Sequence, residues 1–121
     1  MPLNDFFTYI LTESEKERLR ARITIDGKHR LFEGHFPGNP VTPGVVLLEI
    51  MRQVLCEAAA KDLMLSGARD IKFTNPVIPE QHTEFDLEMN IEEAEGEILV
   101  NAVFSEDDII FTKIRGRYRE V

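Results

Sequence analysis

Two stretches of the chain alternate strictly between apolar and polar residues, a period of two that is typical of half-buried β-strands. The stretch Glu17–Ile25 carries its apolar residues at odd numbers, with arginine or threonine between them. The stretch Phe85–Glu92 alternates apolar residues with acidic ones and one asparagine. Three further strands are predicted at Asp70–Phe73, Ile98–Phe104 and Ile109–Arg119.

The turns between these strands are predicted from residues that favour tight bends. Asp26-Gly27 is a strong hairpin signal, so we expect the chain to return through Lys28–Phe32 as a second strand. Acidic and glycine-containing turns are expected at residues 95–97 and 105–108. Residues 3–11 predict only a short arm, either helical or extended.

A long apolar segment predicts one buried helix. Pro37, Pro40 and Pro43 precede it, and prolines at this density exclude a helix interior and a central strand. The helix is predicted from Pro43 to Leu65, with Ser66-Gly67 ending it. Apolar residues occupy nearly every face of its first four turns, so we expect it in the protein interior.

The order of these elements predicts the fold class. A hairpin, one buried helix and about four further strands are most simply arranged as one antiparallel sheet wrapped around the helix. The fold class is therefore α+β. Residues 1–121 are expected to form a single domain, because the length leaves no room for a second core.

Composition narrows the functional class. Hydrophobic residues make up 43% and charged residues 30% of the chain, as in ordinary soluble globular proteins. The formal net charge of −8 disfavours nucleic acid as a partner. No apolar run is long enough to span a membrane, and the N-terminus lacks signal-peptide features. The lone Cys56 suits a reducing cytoplasm and is predicted to be structural.

One imidazole and one carboxylate are the candidate chemical groups. His35 lies in the proline-rich loop, and Glu49 follows in the apolar helix. Imidazole is a suitable general base near neutral pH, and desolvation is expected to raise the pKa of Glu49 so that it can donate a proton. Taken singly, a histidine in a loop is more often structural, whereas a buried glutamate is equally often a paired structural carboxylate or a functional one. His29, predicted on a strand surface, and His82, predicted in a loop, are expected to have no direct role.

Two segments carry a resemblance to a known family. GHFPGNPVTPGVVLLEIMRQV, residues 34–54, contains the pattern H-F-P-G-x-P-x-x-P-G-V followed by a glutamate four residues before a glutamine. KFTNPVIPEQ, residues 72–81, matches the strand and loop that follow the helix in the same family. The chain thus resembles the β-hydroxyacyl-acyl carrier protein dehydratases of the FabZ type, which have the hotdog fold.

The resemblance implies an activity and a site. It implies dehydration of a (3R)-hydroxyacyl thioester, bound to acyl carrier protein, to the trans-2-enoyl thioester in fatty acid biosynthesis, without a cofactor or metal. It implies that His35 is the base at C2 and that Glu49 is the acid toward the C3 hydroxyl. It also implies a homodimer, or a trimer of such dimers, in which His35 of one subunit faces Glu49 of the other.

The resemblance also marks substrate-binding residues. Phe36, Gly44, Val45 and Gln53 are expected to contact substrate or to support the site. The Gly44 N–H at the positive end of the helix would polarise the thioester carbonyl. Gln53 lies one turn beyond Glu49 and would hold its carboxyl by a hydrogen bond.

Two departures from the family pattern bear on the preferred acyl chain length more than on the chemistry of the reaction. Thr42 replaces what is commonly a larger apolar residue, and Glu80-Gln81-His82 replaces the usual Gly-Asp. Two other interpretations stay open. The short chain and the altered loop residues are compatible with a specialised dehydratase of a polyene or polyketide pathway. The protein could also be a non-catalytic acyl-thioester binding module, although the presence of both His35 and Glu49 argues against it. A hotdog thioesterase is a weaker alternative, since it needs a water-activating carboxylate rather than a His/Glu pair.

The last predicted strand carries a row of cations. They lie at every second position and so share one face: Lys113, Arg115, Arg117 and Arg119. One interpretation is a solvated outer face that also protects a sheet edge from pairing. The other, consistent with the resemblance, is a docking surface for an acidic carrier protein.

Overall fold

One antiparallel sheet and one helix make up the part of the chain that the computed structural model describes, residues 5–30, 32 and 41–121. The sheet order is β1-β2-β4-β5-β6-β3, with β1 and β3 at its two edges. This arrangement confirms the α+β class. The elements are β1 Phe7–Ser14, β2 Arg18–Ile25, α1 Gly44–Ala59, β3 Leu63–Phe73, β4 Glu84–Ala94, β5 Glu97–Glu106 and β6 Ile109–Glu120.

The core forms between α1 and the inner face of the sheet. The helix buries six apolar side chains along one face, each contributing about 1.5–3 kcal/mol relative to exposure. The opposite side of α1 is only half-buried, and Val45 is 58% exposed. The expectation of a helix buried on all sides is therefore wrong for the single chain. The buried residues of the helix are Val46, Leu47, Ile50, Met51, Val54 and Leu55.

The strands predicted from a period of two are confirmed. In β2 and β4 the apolar residues point inward while their polar neighbours lie on the outer face. Strand β6 follows the same rule, with Ile114 and Tyr118 buried between exposed cations. Strands β4, β5 and β6 form a meander, and β3 pairs with β6 rather than with β4.

The predicted hairpin after β2 is wrong. Asp26-Gly27 does turn the chain: the Asp26 side chain accepts a hydrogen bond from the Lys28 N–H at 2.9 Å. The chain then leaves the sheet, because both sides of β2 are already paired with β1 and β4. Gly27 instead packs against the loop before β4, where a Cβ would lie 2.9 Å from the carbonyl oxygen of Pro79. The true hairpin joins β1 to β2.

The predicted end of the helix is also wrong. Helix α1 ends at Ala59, and Ala60 adopts a left-handed conformation with φ of 54°. Its N–H bonds to the carbonyls of the last turn, as a C-terminal cap does. Ser66-Gly67, predicted to end the helix, lies inside β3. Pairing with β6 by nine of the eleven residues of β3 outweighs a further turn of helix.

Replacing Ala60 with glycine should stabilise the protein. A left-handed backbone costs an L-residue about 1–2 kcal/mol, and the entropy that glycine loses on folding offsets about half of that gain. We expect Ala60→Gly to raise the free energy of unfolding by about 0.5–1 kcal/mol, measured by denaturant titration. The matched control is Ala59→Gly, in helical conformation one residue earlier, which should lower it by about 1 kcal/mol. Equal losses in both variants would contradict the cap.

Candidate active site

The start of α1 is held in place but has no side-chain cap. Pro43 is the N-cap residue, with φ of −61° and ψ of 145°, and it cannot cap the helix with a side-chain hydrogen bond. The Thr42 N–H donates to the carbonyl of Val77 at 2.8 Å, which ties this end to the loop after β3. The first turn carries no acidic residue. Its N–H groups, with the positive end of the helix dipole, form a place where negative charge is stabilised.

Gly44 is the first helical residue, and its lack of a side chain is required by close packing. A Cβ there would lie 2.4 Å from Cε1 of Phe73, so an aromatic ring occupies the space beside the helix start. Phe73 ends the edge strand β3 and is 59% exposed. The sequence analysis gives Phe73 no role, although it lies in the second family segment.

Glu49 lies on the half-buried side of α1 and is bound by two side chains of its own helix. Arg52 donates from Nη2 to Glu49 Oε1 at 2.6 Å, and from Nε to both carboxylate oxygens at 3.1 and 3.0 Å. The Gln53 amide donates to the same Oε1 at 3.3 Å. The predicted hydrogen bond between Gln53 and Glu49 is therefore present. The Glu49 side chain is 18% exposed and that of Arg52 33%.

The pKa of Glu49 is lowered, not raised. The largest cause is the hydrogen bond from the Arg52 guanidinium, and burial opposes it without prevailing. The Gln53 hydrogen bond and the charge of Arg52 lower the pKa further. The expectation that desolvation keeps Glu49 protonated near pH 7 is therefore wrong for the chain as described.

Arg52 is itself anchored on its far side. Its Nη1 donates to the carbonyl of Leu63, the first residue of β3, at 3.2 Å and lies 3.6 Å from Cys56 Sγ. The Cys56 sulfur also accepts the Leu63 N–H at 3.3 Å, so this cysteine has the structural role predicted for it. No functional role is predicted for Arg52 from the sequence. The available signal was its i,i+3 spacing from Glu49.

The remaining predicted residues divide into described and undescribed ones. His35 and Phe36 lie outside the described residues, so their positions relative to Glu49 stay predictions. Val45 is exposed next to Gly44 at the helix start. Thr42, the departure from the family pattern, is buried, and its hydroxyl has no hydrogen-bond partner within the described ranges.

The two other histidines have structural partners. His29 is not on a strand: its Nε2 lies 2.9 Å from Asp5 Oδ1, and its ring packs edge-on against Phe6. His82 is a loop residue, as predicted, and its Nδ1 accepts the Ile78 N–H at 3.0 Å.

In residues 5–30, 32 and 41–121, no group of three or more His, Cys, Asp or Glu side chains could hold a metal ion. Nor does this part of the chain contain a helix long and apolar enough to cross a membrane.

The cations of β6 form an exposed row on the outer face of the sheet, which we call the basic row. Strand β6 has neighbours on both sides, so the interpretation that the row protects a sheet edge is wrong. The arginines of β2 provide a contrast, because they are paired: Arg18 with Glu88 at 2.6 Å and Arg22 with Glu106 at 2.6 Å. Among the described residues, no ion pair involves Lys113, Arg115, Arg117 or Arg119.

Comparison with known proteins identifies relatives of this chain. The family model of the ApeI-like proteins, described as ApeI dehydratase, matches residues 11–112. A 3-hydroxyacyl-[acyl-carrier-protein] dehydratase FabZ from Haemophilus influenzae strain PittEE is 34% identical over 95 residues, covering 72% of this chain and 64% of that protein. The FabZ of Symbiobacterium thermophilum is 41% identical over 66 residues, 49% of this chain and 46% of that protein. This chain thus spans between about half and two thirds of the length of these relatives.

Solved structures agree on the fold. The dehydratase heterocomplex ApeI:P from Xenorhabdus doucetiae superposes with a TM-score of 0.71 at 19% identity, covering 93% of this chain and 99% of that one. A putative thioesterase from Syntrophus aciditrophicus gives a TM-score of 0.65 at 12% identity, covering 100% and 88%. The resemblance to FabZ-type dehydratases is thereby confirmed, and the chain belongs to the ApeI-like dehydratase family and has the hotdog fold.

Proposed function

We propose that the protein removes water from a (3R)-3-hydroxyacyl thioester carried by acyl carrier protein, giving the trans-2-enoyl thioester in fatty acid biosynthesis. The observation that carries the proposal is the placement of Glu49, held by Arg52 and Gln53, on the same helix whose uncapped start is Gly44. Glu49 lies five positions after Gly44 in the helix, a rise of about 7.5 Å along the axis. A 3-hydroxyacyl thioester can span that separation with hydrogen bonds at its carbonyl and its hydroxyl.

The reaction then needs one base, one proton donor and one site for negative charge. His35 takes the proton from C2, and charge accumulates on the thioester oxygen at the Gly44 N–H. The electron pair of the C2–H bond forms the C2–C3 double bond as the C3–O bond breaks. Glu49, charged beside Arg52, accepts a hydrogen bond from the 3-hydroxyl and orients it. The imidazolium of His35 returns its proton to the departing hydroxyl, so water leaves and no cofactor is consumed.

We further propose that the active unit is a homodimer, alone or within a trimer of dimers. Strand β3 is an edge strand, and its edge away from β6 has no neighbouring strand in the described chain. An unpaired edge is suited to pairing with a strand of a second copy. Exposed apolar side chains lie along it, with Phe73 59% and Met64 40% exposed. Val45, beside Gly44, is 58% exposed. A partner seated on β3 would cover these groups and bring its own His35 toward Glu49.

Mixed dimers test both the catalytic pair and its division between subunits. We expect His35→Ala and Glu49→Gln each to abolish dehydration while leaving the assembly folded. Coexpression of the two variants should restore activity, because half of random dimers are mixed and one of their two sites is intact. The expected value is about a quarter of the wild-type rate, from the two-fold symmetry of the dimer.

The measurement is enoyl-thioester formation followed by absorbance, with assembly size checked by light scattering. Near-normal turnover in either single variant would defeat the assignment and favour the binding-module alternative. Inactive mixed dimers of the correct size would instead place His35 and Glu49 of one site on the same subunit.

We propose that the basic row docks the acidic carrier protein. Its four cations have no carboxylate partner in the described chain, and Lys72 of β3 extends it beside Lys113. Arg115 and Arg117, with Arg69, line a groove of about 650 Å³ on the outer face of the sheet. Three acids lie near the row: Asp70 contacts Lys72, Glu97 accepts a hydrogen bond from Ser66, and Glu92 lines the same groove without an ion pair to the row in the described chain. On a chain of net charge −8, unpaired cations on one face attract an acidic partner.

Charge reversal separates docking from chemistry. We expect Arg115→Glu with Arg117→Glu to raise KM for carrier-bound substrate by on the order of tenfold, while a small thioester analogue is turned over normally. The matched control is Lys28→Glu with Lys61→Glu, which changes net charge equally on exposed residues away from the row. Equal losses with both substrates, or equal effects of both double variants, would reject the row as the docking surface.

A second candidate function is a specialised dehydratase serving a polyene or polyketide pathway. The match to the ApeI-like family favours it, as does the fold shared with a dehydratase heterocomplex. The chemistry at His35 and Glu49 would be unchanged, and the acyl group would differ. Turnover of carrier-bound 3-hydroxyacyl substrates of graded length and unsaturation separates the two functions. A clear preference for conjugated substrates would replace fatty acid biosynthesis as the role. In either role we expect the protein in the cytoplasm.

A further inference from the structure

Arg52 forms a bridge between the candidate catalytic carboxylate and the edge strand. On one side, its Nε and Nη2 form a fork on Glu49, with the shortest contact at 2.6 Å. On the other side, its Nη1 is fixed by the Leu63 carbonyl and lies near Cys56 Sγ. The guanidinium is thus held from both ends. A carboxylate held by such a fork has less rotational freedom and is harder to protonate.

We propose that Arg52 is a positioning residue that fixes Glu49 as a charged hydrogen-bond acceptor for the 3-hydroxyl of the substrate. This inference rests on the proposed dehydratase function and deepens it. Arg52 touches neither the reacting carbons nor the thioester in this arrangement; it acts through Glu49. Because it is also bonded to the start of β3, the orientation of Glu49 is coupled to the strand on which the second subunit is proposed to sit.

The charged and titratable groups around the pair are consistent with this role. Gln53 donates a fourth hydrogen bond to the carboxylate, which favours its charged form. Tyr118 of β6 also faces the pair, and burial raises its pKa to about 12, so it stays neutral through the working range. Cys56 packs against the guanidinium, and Asp62 lies 3.8 Å from Arg52 Nη1 with its side chain 78% exposed. No second cation from the described strands contacts Glu49, so Arg52 is its charge partner there.

The sign of the expected pH effect follows from the lowered pKa of Glu49. Removing Arg52 raises that pKa, so a smaller fraction of Glu49 is charged at any mildly acidic pH. If the reaction needs charged Glu49 together with neutral His35, raising the pKa of Glu49 moves the acid limb of the kcat profile to higher pH. If the reaction needs protonated Glu49, removing Arg52 makes the enzyme faster near neutral pH and extends the alkaline limb.

The experiment compares three variants of the full chain. Arg52→Met removes both charge and fork, Arg52→Lys keeps the charge without the fork, and Asp62→Asn removes only the exposed contact on the far side of the guanidinium. We expect Arg52→Met to lower kcat on the order of tenfold or more with little change in KM, and to shift the acid limb upward. Arg52→Lys should also lose kcat but move the acid limb less than Arg52→Met does, because it keeps the charge, and Asp62→Asn should match wild type in both.

A second measurement is independent of activity. The Glu49 carboxyl carbon is titrated by NMR in wild type, Arg52→Met and Arg52→Lys, each shown to be folded by circular dichroism. The pKa of Glu49 should rise in Arg52→Met and rise by a smaller amount in Arg52→Lys, which loses the hydrogen-bonding fork but keeps the charge.

An unchanged pKa in Arg52→Met, or faster turnover of that variant near neutral pH, would overturn the inference. An inactive wild-type protein with the expected titration shift would reject the dehydratase proposal alone and leave the Arg52–Glu49 coupling standing.

Discussion

Everything in this structure depends on covering one apolar face of one helix. The six side chains that α1 buries would expose a large apolar surface if the helix stood alone, and no second helix is present in the described chain to cover it. A twisted sheet wide enough to curve around the helix meets this requirement. The same constraint leaves the other side of α1 half-buried, and that side carries Glu49, Arg52 and Gln53. The candidate chemistry therefore lies on the part of the helix that the sheet does not use.

The parts of the fold that could be predicted are those whose signal is local. The strict alternation in β2 and β4 reflects one buried face and one solvent face, so the sequence alone is sufficient to predict these two strands. The hairpin prediction at Asp26-Gly27 is wrong for a non-local reason. The turn forms, but the place beside β2 that a returning strand would take is occupied by β4, which begins about sixty residues later in the chain. The predicted end of the helix is wrong because Ala60 provides the left-handed cap without the glycine that normally marks it.

The candidate site likewise has parts that the sequence predicts and parts that it does not. Glu49 and Gln53 were found from spacing within one helix, and their contact is present. The protonation state of Glu49 was predicted in the wrong direction, because the prediction weighed burial without a partner. No role is predicted for Arg52 from the sequence, because its second anchor, the Leu63 carbonyl, lies on β3 and is not visible from spacing within the helix. Phe73 beside Gly44 is a similar case, since only packing brings the two together.

The place of β3 in the sheet has a consequence for how the protein is made. β3 is the third strand along the chain, yet its partner β6 is the last, so its ladder joins residues 63–73 to residues 112–120. During synthesis the strand that anchors Arg52 leaves the ribosome well before anything can pair with it. Such long-range pairing is slow to form and exposes an unpaired strand in the meantime. The anchor that β3 gives to Arg52 through Leu63 therefore depends on a pairing that is distant in sequence, whereas the contacts of Glu49 with Arg52 and Gln53 lie within α1 itself.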